Sequence, residues 1–340
     1  MVAVAYPYGV SLERRPLVIG HRGASGYRPE HTRAAYELAF ALGADAVEPD
    51  IVATGDGVLV LRHENEISGT TDVATHSEFS ARRTTKVIDG VTRVGWFTED
   101  FTWAELSSLR TVERLPGIRQ HSASFDGRFP MLRLCDLMSM IDAQDLPRVM
   151  VAEIKHATYF ASIGLPLDEL FAAQIADWAT VDNLIVESFE QTVLGRIRAR
   201  GVAGRHVFLV EASGAPADLV ARFGPEARTY AEHLSPTGLA LLAAEVDGVS
   251  VEKKLLLAMD DRGRVKGTTD VVQRAHEAGL DVFTWTLRAE NRFLAKNFRL
   301  GVAGGNYGNW MDEFALILSS GVDGVFADQP DLVLAALAER

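Results

Sequence analysis

The chain has almost nothing with which to build a covalent framework. Its single cysteine, Cys135, excludes an intramolecular disulfide and leaves the redox compartment open. Cys135 stands in the apolar helical pattern Leu134-Cys135-Asp136-Leu137-Met138, where a buried helix cysteine is expected. No window is long and apolar enough to span a bilayer. Met1–Val10 lacks a basic n-region, and Pro7 and Gly9 interrupt its apolar stretch, so it does not read as a signal peptide. The expectation is a soluble, cytoplasmic protein without stable membrane insertion. Basic residues are in the minority, 34 Lys and Arg against 46 Asp and Glu, for a net charge of −12 with no basic run. That argues against nucleic acid or an anionic membrane as the main partner. It does not argue against a phosphate substrate, because a bound cation inverts the local field. No Cys/His cluster has zinc spacing. Ser25 has no nucleophile-elbow context. The glycine-rich Gly304-Gly305-Asn306-Tyr307-Gly308 does not follow a strand with dinucleotide spacing and reads as a loop.

What the chain does have is alternation. Eight apolar strand candidates are legible: Pro16–Gly20, Ala46–Ile51, Val149–Ile154, Leu184–Phe189, Val207–Val210, Gly248–Val251, Val282–Thr286 and Gly324–Ala327. Helical patterns separate most of them, from Thr32–Leu42 to a closing Asp331–Ala338. Gly43, Gly201, Gly279 and Gly321 each follow a helical run and precede a strand. Eight such units predict an α/β protein with a closed (β/α)8 TIM barrel, and a doubly wound open sheet is the alternative. The rhythm breaks between His63 and Leu132, a stretch too long for a bare loop. It predicts a small lobe, residues 64–130, inserted in a barrel domain of residues 14–340 and folded over the active face. One short helix, Trp103–Leu109 capped by Thr102, is expected in it.

Barrel sites lie at the C-terminal ends of strands. The first strand ends in His21-Arg22, the second carries Glu48 and Asp50, and the third ends in Glu153-Ile154-Lys155. His63 closes the run Val58-Leu59-Val60-Leu61-Arg62-His63. Glu48, Asp50 and Glu153 can form an oxygen-only site suited to Mg2+ or Ca2+. The competing reading is a set of structural salt bridges with Arg22 or Lys155. His21 and His63 could serve as acid and base on opposite sides of a phosphorus, with Arg22 and Lys155 facing the phosphoryl oxygens. The other histidines, among them His31, His206 and His233, read as surface or core residues. Trp285 and Phe189 could wall an apolar or glyceryl pocket, although a core tryptophan competes with that reading.

These residues fall in segments that resemble the glycerophosphodiester phosphodiesterases, in particular the longer bacterial type with an inserted lobe. The segments are His21-Arg22-Gly23-Ala24-Ser25-Gly26 with Pro29-Glu30-His31-Thr32, then Gly43–Asp50 and Thr54–His63. Glu153-Ile154-Lys155, Thr284-Trp285-Thr286 and Gly321–Asp331 complete the set. Family members usually carry Asn where this chain has His31, a change that could alter the pocket rim without removing a catalytic group. The resemblance implies a (β/α)8 barrel, and a divalent cation, Ca2+ or Mg2+, on Glu48, Asp50 and Glu153. It implies His21 and His63 as the acid–base pair, with Arg22 and Lys155 near the phosphate. The implied activity is hydrolysis of glycerophosphodiesters to sn-glycerol 3-phosphate and an alcohol. Two alternatives are kept. One is a related barrel lysophospholipase D or sphingomyelinase D-like enzyme, which an exposed apolar rim would favour, whereas the insert reads as polar and charged. The other is a non-catalytic phosphate-binding protein.

Overall fold

Short Val-, Ile- and Leu-rich runs bury both faces only as interior strands of a parallel sheet. The computed structural model describes residues 15–146 and 148–339. Its strands are β1 (Leu17–His21), β2 (Ala46–Glu48), β3 (Asp50–Ala53), β4 (Leu59–Leu61), β5 (Thr84–Ile88), β6 (Val91–Gly95) and β7 (Val149–Ile154). They continue as β8 (Leu184–Ser188), β9 (Arg205–Val210), β10 (Gly248–Glu252), β11 (Leu257–Met259), β12 (Val265–Thr268), β13 (Asp281–Leu287) and β14 (Gly324–Ala327). The eight expected runs pair in parallel in the order β1, β2 with β3, β7, β8, β9, β10, β13, β14, and β14 returns to β1. That is the closed barrel and not the open sheet. Pro49 lacks an amide hydrogen and divides the second barrel strand into β2 and β3. The seam with β7 is thin there: Ala46 and Val47 pair with Val149 and Met150, then Asp50 and Ile51 with Glu153 and Ile154.

Seven side chains fill the barrel interior: Ile19, Ala46, Val151, Ile185, Val207, Phe283 and Phe326. A second, larger core lies between the strands and the helices. Helix Arg33–Ala41 shows the logic. Ala35, Tyr36, Ala39 and Phe40 recur at helical spacing and are buried, and the Thr32 side chain caps the helix by accepting from the Ala35 amide. Helix Leu134–Asp142 carries Cys135, which is half-buried and not enclosed as expected.

The segment between β4 and β7 holds most of what the sequence reading missed. β4 itself runs antiparallel to β3. β5 and β6 form a hairpin whose residues are largely exposed on both faces. The helix expected at 103–109 forms over Trp103–Leu106, with Thr102 and Glu105 making a reciprocal capping box. Phe79, Trp96, Phe101, Leu106 and Leu109 join the larger core. The insert is not uniformly polar, however: Val87, Val91 and Val94 of the hairpin are 60%, 50% and 49% exposed. Helices Ala157–Ser162, Ala217–Phe223 and Tyr230–His233 and the hairpin of β11 and β12 were also unanticipated. No helix among the described residues is long and apolar enough to cross a membrane. Met1–Val10, read above for leader features, lies outside the described residues.

Candidate active site

Strand register assembles the site. His21 pairs with Glu48 across β1 and β2, Asp50 with Glu153 across β3 and β7, and Glu153 with Glu187 across β7 and β8. After β1 the chain turns sharply through Arg22, held at φ 59°, and Gly23, at φ 84°. A Cβ on Gly23 would lie 2.5 Å from the Ala35 carbonyl carbon, so only glycine lets the turn sit against the first helix. Of the nine candidate catalytic, binding and metal-ligating residues, all but Asp50 line one cleft of about 1300 Å³ at this end of the barrel. Asp50 is fully buried beneath it.

Glu48, Asp50 and Glu153 each present an oxygen, all within 4.8 Å of one another. The salt-bridge reading is realised in the same place. Arg22 Nε lies 3.0 Å from Asp50 Oδ2, and Lys155 Nζ donates to Glu153 Oε1 at 2.7 Å. The Arg22 amide donates to Glu48 Oε2 at 2.8 Å. These partners do not exhaust the cluster, because Glu48 Oε1 and Asp50 Oδ1 are buried without a hydrogen bond. Burial, and then the Asp50 charge, push the Glu48 carboxyl well up. Burial raises Glu153 to about 8 against the pull of Lys155. Asp50 is driven down despite its burial, by Arg22, His63, Lys155 and His31. Crowded, desolvated carboxylates with orphaned oxygens are costly unless a positive charge joins them. The donor set is oxygen only, so a hard divalent cation fits.

His31 is not at the rim. It is fully buried behind the cluster, at φ 57°, because its amide donates back to the Arg22 carbonyl and folds residues 29–32 beneath the end of β1. Its Nε2 lies 2.9 Å from Asp50 Oδ2 and its Nδ1 2.8 Å from the Tyr36 hydroxyl.

Each of the two cleft histidines leans on a carboxylate. His21 Nδ1 lies 2.6 Å from Asp328 Oδ1, and Asp328 is gripped by Arg119 NH2 at 2.5 Å and Arg288 Nε at 2.6 Å. Those guanidiniums outweigh burial and hold the Asp328 carboxyl well below its usual range. A carboxylate only accepts, so Nδ1 of His21 carries the proton and Nε2 is the nitrogen left for the cleft. Burial and then Arg22 push His21 down to about 4, so its ring is neutral at pH 7. His63 Nδ1 lies 2.6 Å from Glu64 Oε1. Burial, Arg22 and Lys155 lower it to about 3, although 29% of its side chain still meets solvent, which relieves part of that push.

Phe189 and Trp285 meet edge to face at 5.6 Å, and the Trp285 indole donates to the Ser250 carbonyl at 3.2 Å. Trp285 lines the cleft and also packs, half-buried, against the barrel interior. The sequence reading missed Glu64, Arg114, Arg119 and the parts played by Glu187 and Asp328. Asp328 and Glu187 obey the rule that located Glu153, position at the end of a barrel strand. Arg114 and Arg119 sit in no motif.

The glycerophosphoryl diester phosphodiesterase family profile matches residues 21–332. Glycerophosphodiester phosphodiesterase GDPD6 of Arabidopsis thaliana is 31% identical over 332 residues, covering 92% of this chain and 84% of that one. A putative glycerophosphoryl diester phosphodiesterase from Silicibacter pomeroyi superposes with a TM-score of 0.67 at 20% identity, covering 96% of this chain and 95% of that one. A phosphodiesterase from Oleispira antarctica, solved with the product sn-glycerol-3-phosphate, gives 0.61 at 19% identity, covering 95% and 97%. The two structures share the barrel, while the profile spans the chain from the first cleft histidine to the last helix and the Arabidopsis relative extends over most of its length. This chain belongs to the glycerophosphoryl diester phosphodiesterase family.

Proposed function

We propose that the protein hydrolyses glycerophosphodiesters to sn-glycerol 3-phosphate and an alcohol. In this reading Glu48, Asp50 and Glu153 hold a divalent cation, Ca2+ or Mg2+, and His21 and His63 are the acid–base pair. The working unit is the barrel of residues 14–340, with residues 64–130 as a lobe covering one rim. The observation that carries the reading is the pair of Nδ1-anchored histidines lining one cleft with an oxygen-only cluster that has orphaned oxygens. A neutral imidazole with its proton on Nδ1 offers Nε2 as a base. One ring takes the proton of the attacking oxygen, from water or the substrate's own glycerol hydroxyl. The other, protonated at Nε2 once the phosphodiester's negative charge favours it, gives that proton to the leaving alkoxide as the phosphorus–oxygen bond breaks. The substrate's hydroxyl route passes through a cyclic phosphate, which water then opens. Arg22 and Lys155 bind the phosphoryl oxygens, and Phe189 and Trp285 wall the glyceryl group. The bound cation supplies further charge neutralisation at phosphorus. The product bound in the Oleispira structure is the one this reading expects.

Purified protein incubated with glycerophosphocholine and glycerophosphoethanolamine should release glycerol 3-phosphate. Chelation should stop the release, and Ca2+ or Mg2+ should restore it. No release from either diester with either ion would refute the proposal. A second reading has one observation in its favour. The exposed Val87 and Val91 line the cleft and could meet an acyl chain. Faster turnover of lysophosphatidylcholine than of glycerophosphocholine would select it.

A further inference from the structure

The two histidine–carboxylate pairs stand on separate parts of the barrel, one after β4 and one after β14. A single short turn of the insert reaches both. Arg114 NH1 donates to Glu64 Oε2 at 2.8 Å, and Arg119 NH2 donates to Asp328 Oδ2 at 2.5 Å. Each arginine is itself fixed by a second anchor. Arg114 grips Glu30 through Nε at 2.8 Å and NH2 at 2.6 Å. Arg119 Nε donates to Glu290 at 2.7 Å and its NH1 to the Ser25 carbonyl at 3.1 Å.

The turn between them is stiff. Pro116 fixes one φ. The amides of Ile118 and Arg119 both donate to the Leu115 carbonyl, and the Leu115 amide donates to Glu113 Oε1 at 2.8 Å. The barrel side is fitted to it. A Cβ on Gly305 would lie 2.9 Å from the Ile118 carbonyl oxygen, so the loop after β13 approaches the turn backbone to backbone.

We infer that residues 114–119 set the separation of the two histidines, with Arg114 and Arg119 as positioning residues that act on His63 through Glu64 and on His21 through Asp328. The chemical demand is plain. In-line displacement needs its two proton-transfer groups on opposite sides of one phosphorus, and small misplacements of either cost rate. The inference rests on the proposed acid–base role of His21 and His63.

The test is a pair of double-mutant cycles, followed by kinetics on glycerophosphocholine in saturating Ca2+. Arg114→Ala is combined with Glu64→Gln, and Arg119→Lys with Asp328→Asn. Lysine is used at 119 so that the buried site keeps a charge and the chain folds. Each single variant should lose about 10- to 100-fold in kcat, the usual scale for a group that orients a catalytic side chain, with KM within about threefold of wild type. Each double variant should lose no more than its worse single, because both changes break one chain of contacts. Single arginine variants within twofold of wild-type kcat, losses that add in the doubles, or a change confined to KM would each overturn the inference. His21→Ala and His63→Ala separate the two levels. If both are inactive while the arginine variants are normal, the acid–base reading stands and this inference fails. If both histidine variants keep full activity, the acid–base reading fails and takes the inference with it.

Discussion

Asp50 is the side chain on which most of the site's charge converges. Arg22, Lys155 and His31 all reach it, yet one of its oxygens is left without a hydrogen bond. Replacing His31 with Phe removes the Nε2 contact and leaves Asp50 freer to turn. Calorimetric titration with Ca2+ should show affinity reduced about 10- to 100-fold, as for other partners that orient a metal ligand. Unchanged affinity would show that Arg22 and Lys155 hold Asp50 without it. At the histidines, His21→Ala or His63→Ala should lower kcat by roughly 10²- to 10⁴-fold, measured as glycerol 3-phosphate release at saturating substrate. His21, Glu48, Asp50 and Glu153 were legible in the sequence because position at a barrel strand's end also dictates where a side chain points; His63, just beyond β4, was found beside them. His31 was misplaced because its buried ring depends on a left-handed backbone residue, which composition does not announce. Arg114 and Arg119 were invisible for a different reason. Their partners are chosen by where a loop lands, and no local pattern encodes that.

Among the elements, the eight barrel strands were readable because burial on both faces writes a continuous apolar run. β5 and β6 were not, since a hairpin held by its own ladder and exposed on both faces needs no apolar pattern. The three short helices escaped because four to seven residues span too few turns to establish a period. Two substitutions test how these elements are built. Thr102→Ala removes the hydroxyl that accepts from the Glu105 amide at 3.4 Å and should cost about 1 kcal/mol in urea denaturation, with the slope unchanged. Gly23→Ala should cost more, because the new methyl group meets the first helix's backbone at a φ that disfavours it. A lowered melting temperature together with reduced activity is the expected pair of readings, since the same turn aims Arg22.

For the whole molecule, acid sensitivity follows from histidines folded in the neutral state. His233 is 1% exposed, packs at a tilt against Phe208, and has no hydrogen bond at either ring nitrogen. Burial, and then Arg228, lower it to about 4, below the 6.5 of an ordinary histidine. Above pH 6.5 neither folded nor unfolded chain protonates it, and stability does not depend on it. As pH falls from 6.5 toward 4 only the unfolded chain takes up the proton, so stability declines through that window. His233→Phe should flatten the melting temperature against pH there; an unaltered slope would assign the decline to other groups. Ca2+ should raise the melting temperature in proportion to the logarithm of its concentration, once above its dissociation constant, because only the folded chain brings Glu48, Asp50 and Glu153 together.

The thin seam has a consequence in time. It joins segments roughly a hundred residues apart in sequence, with the whole insert between them. Closing a loop of that length costs about 4 kcal/mol in its logarithmic part alone, and only a few ladder pairs reward it. Collapse of the insert shortens that path, so the segment that arranges the cleft also eases the pairing of β2 and β3 with β7.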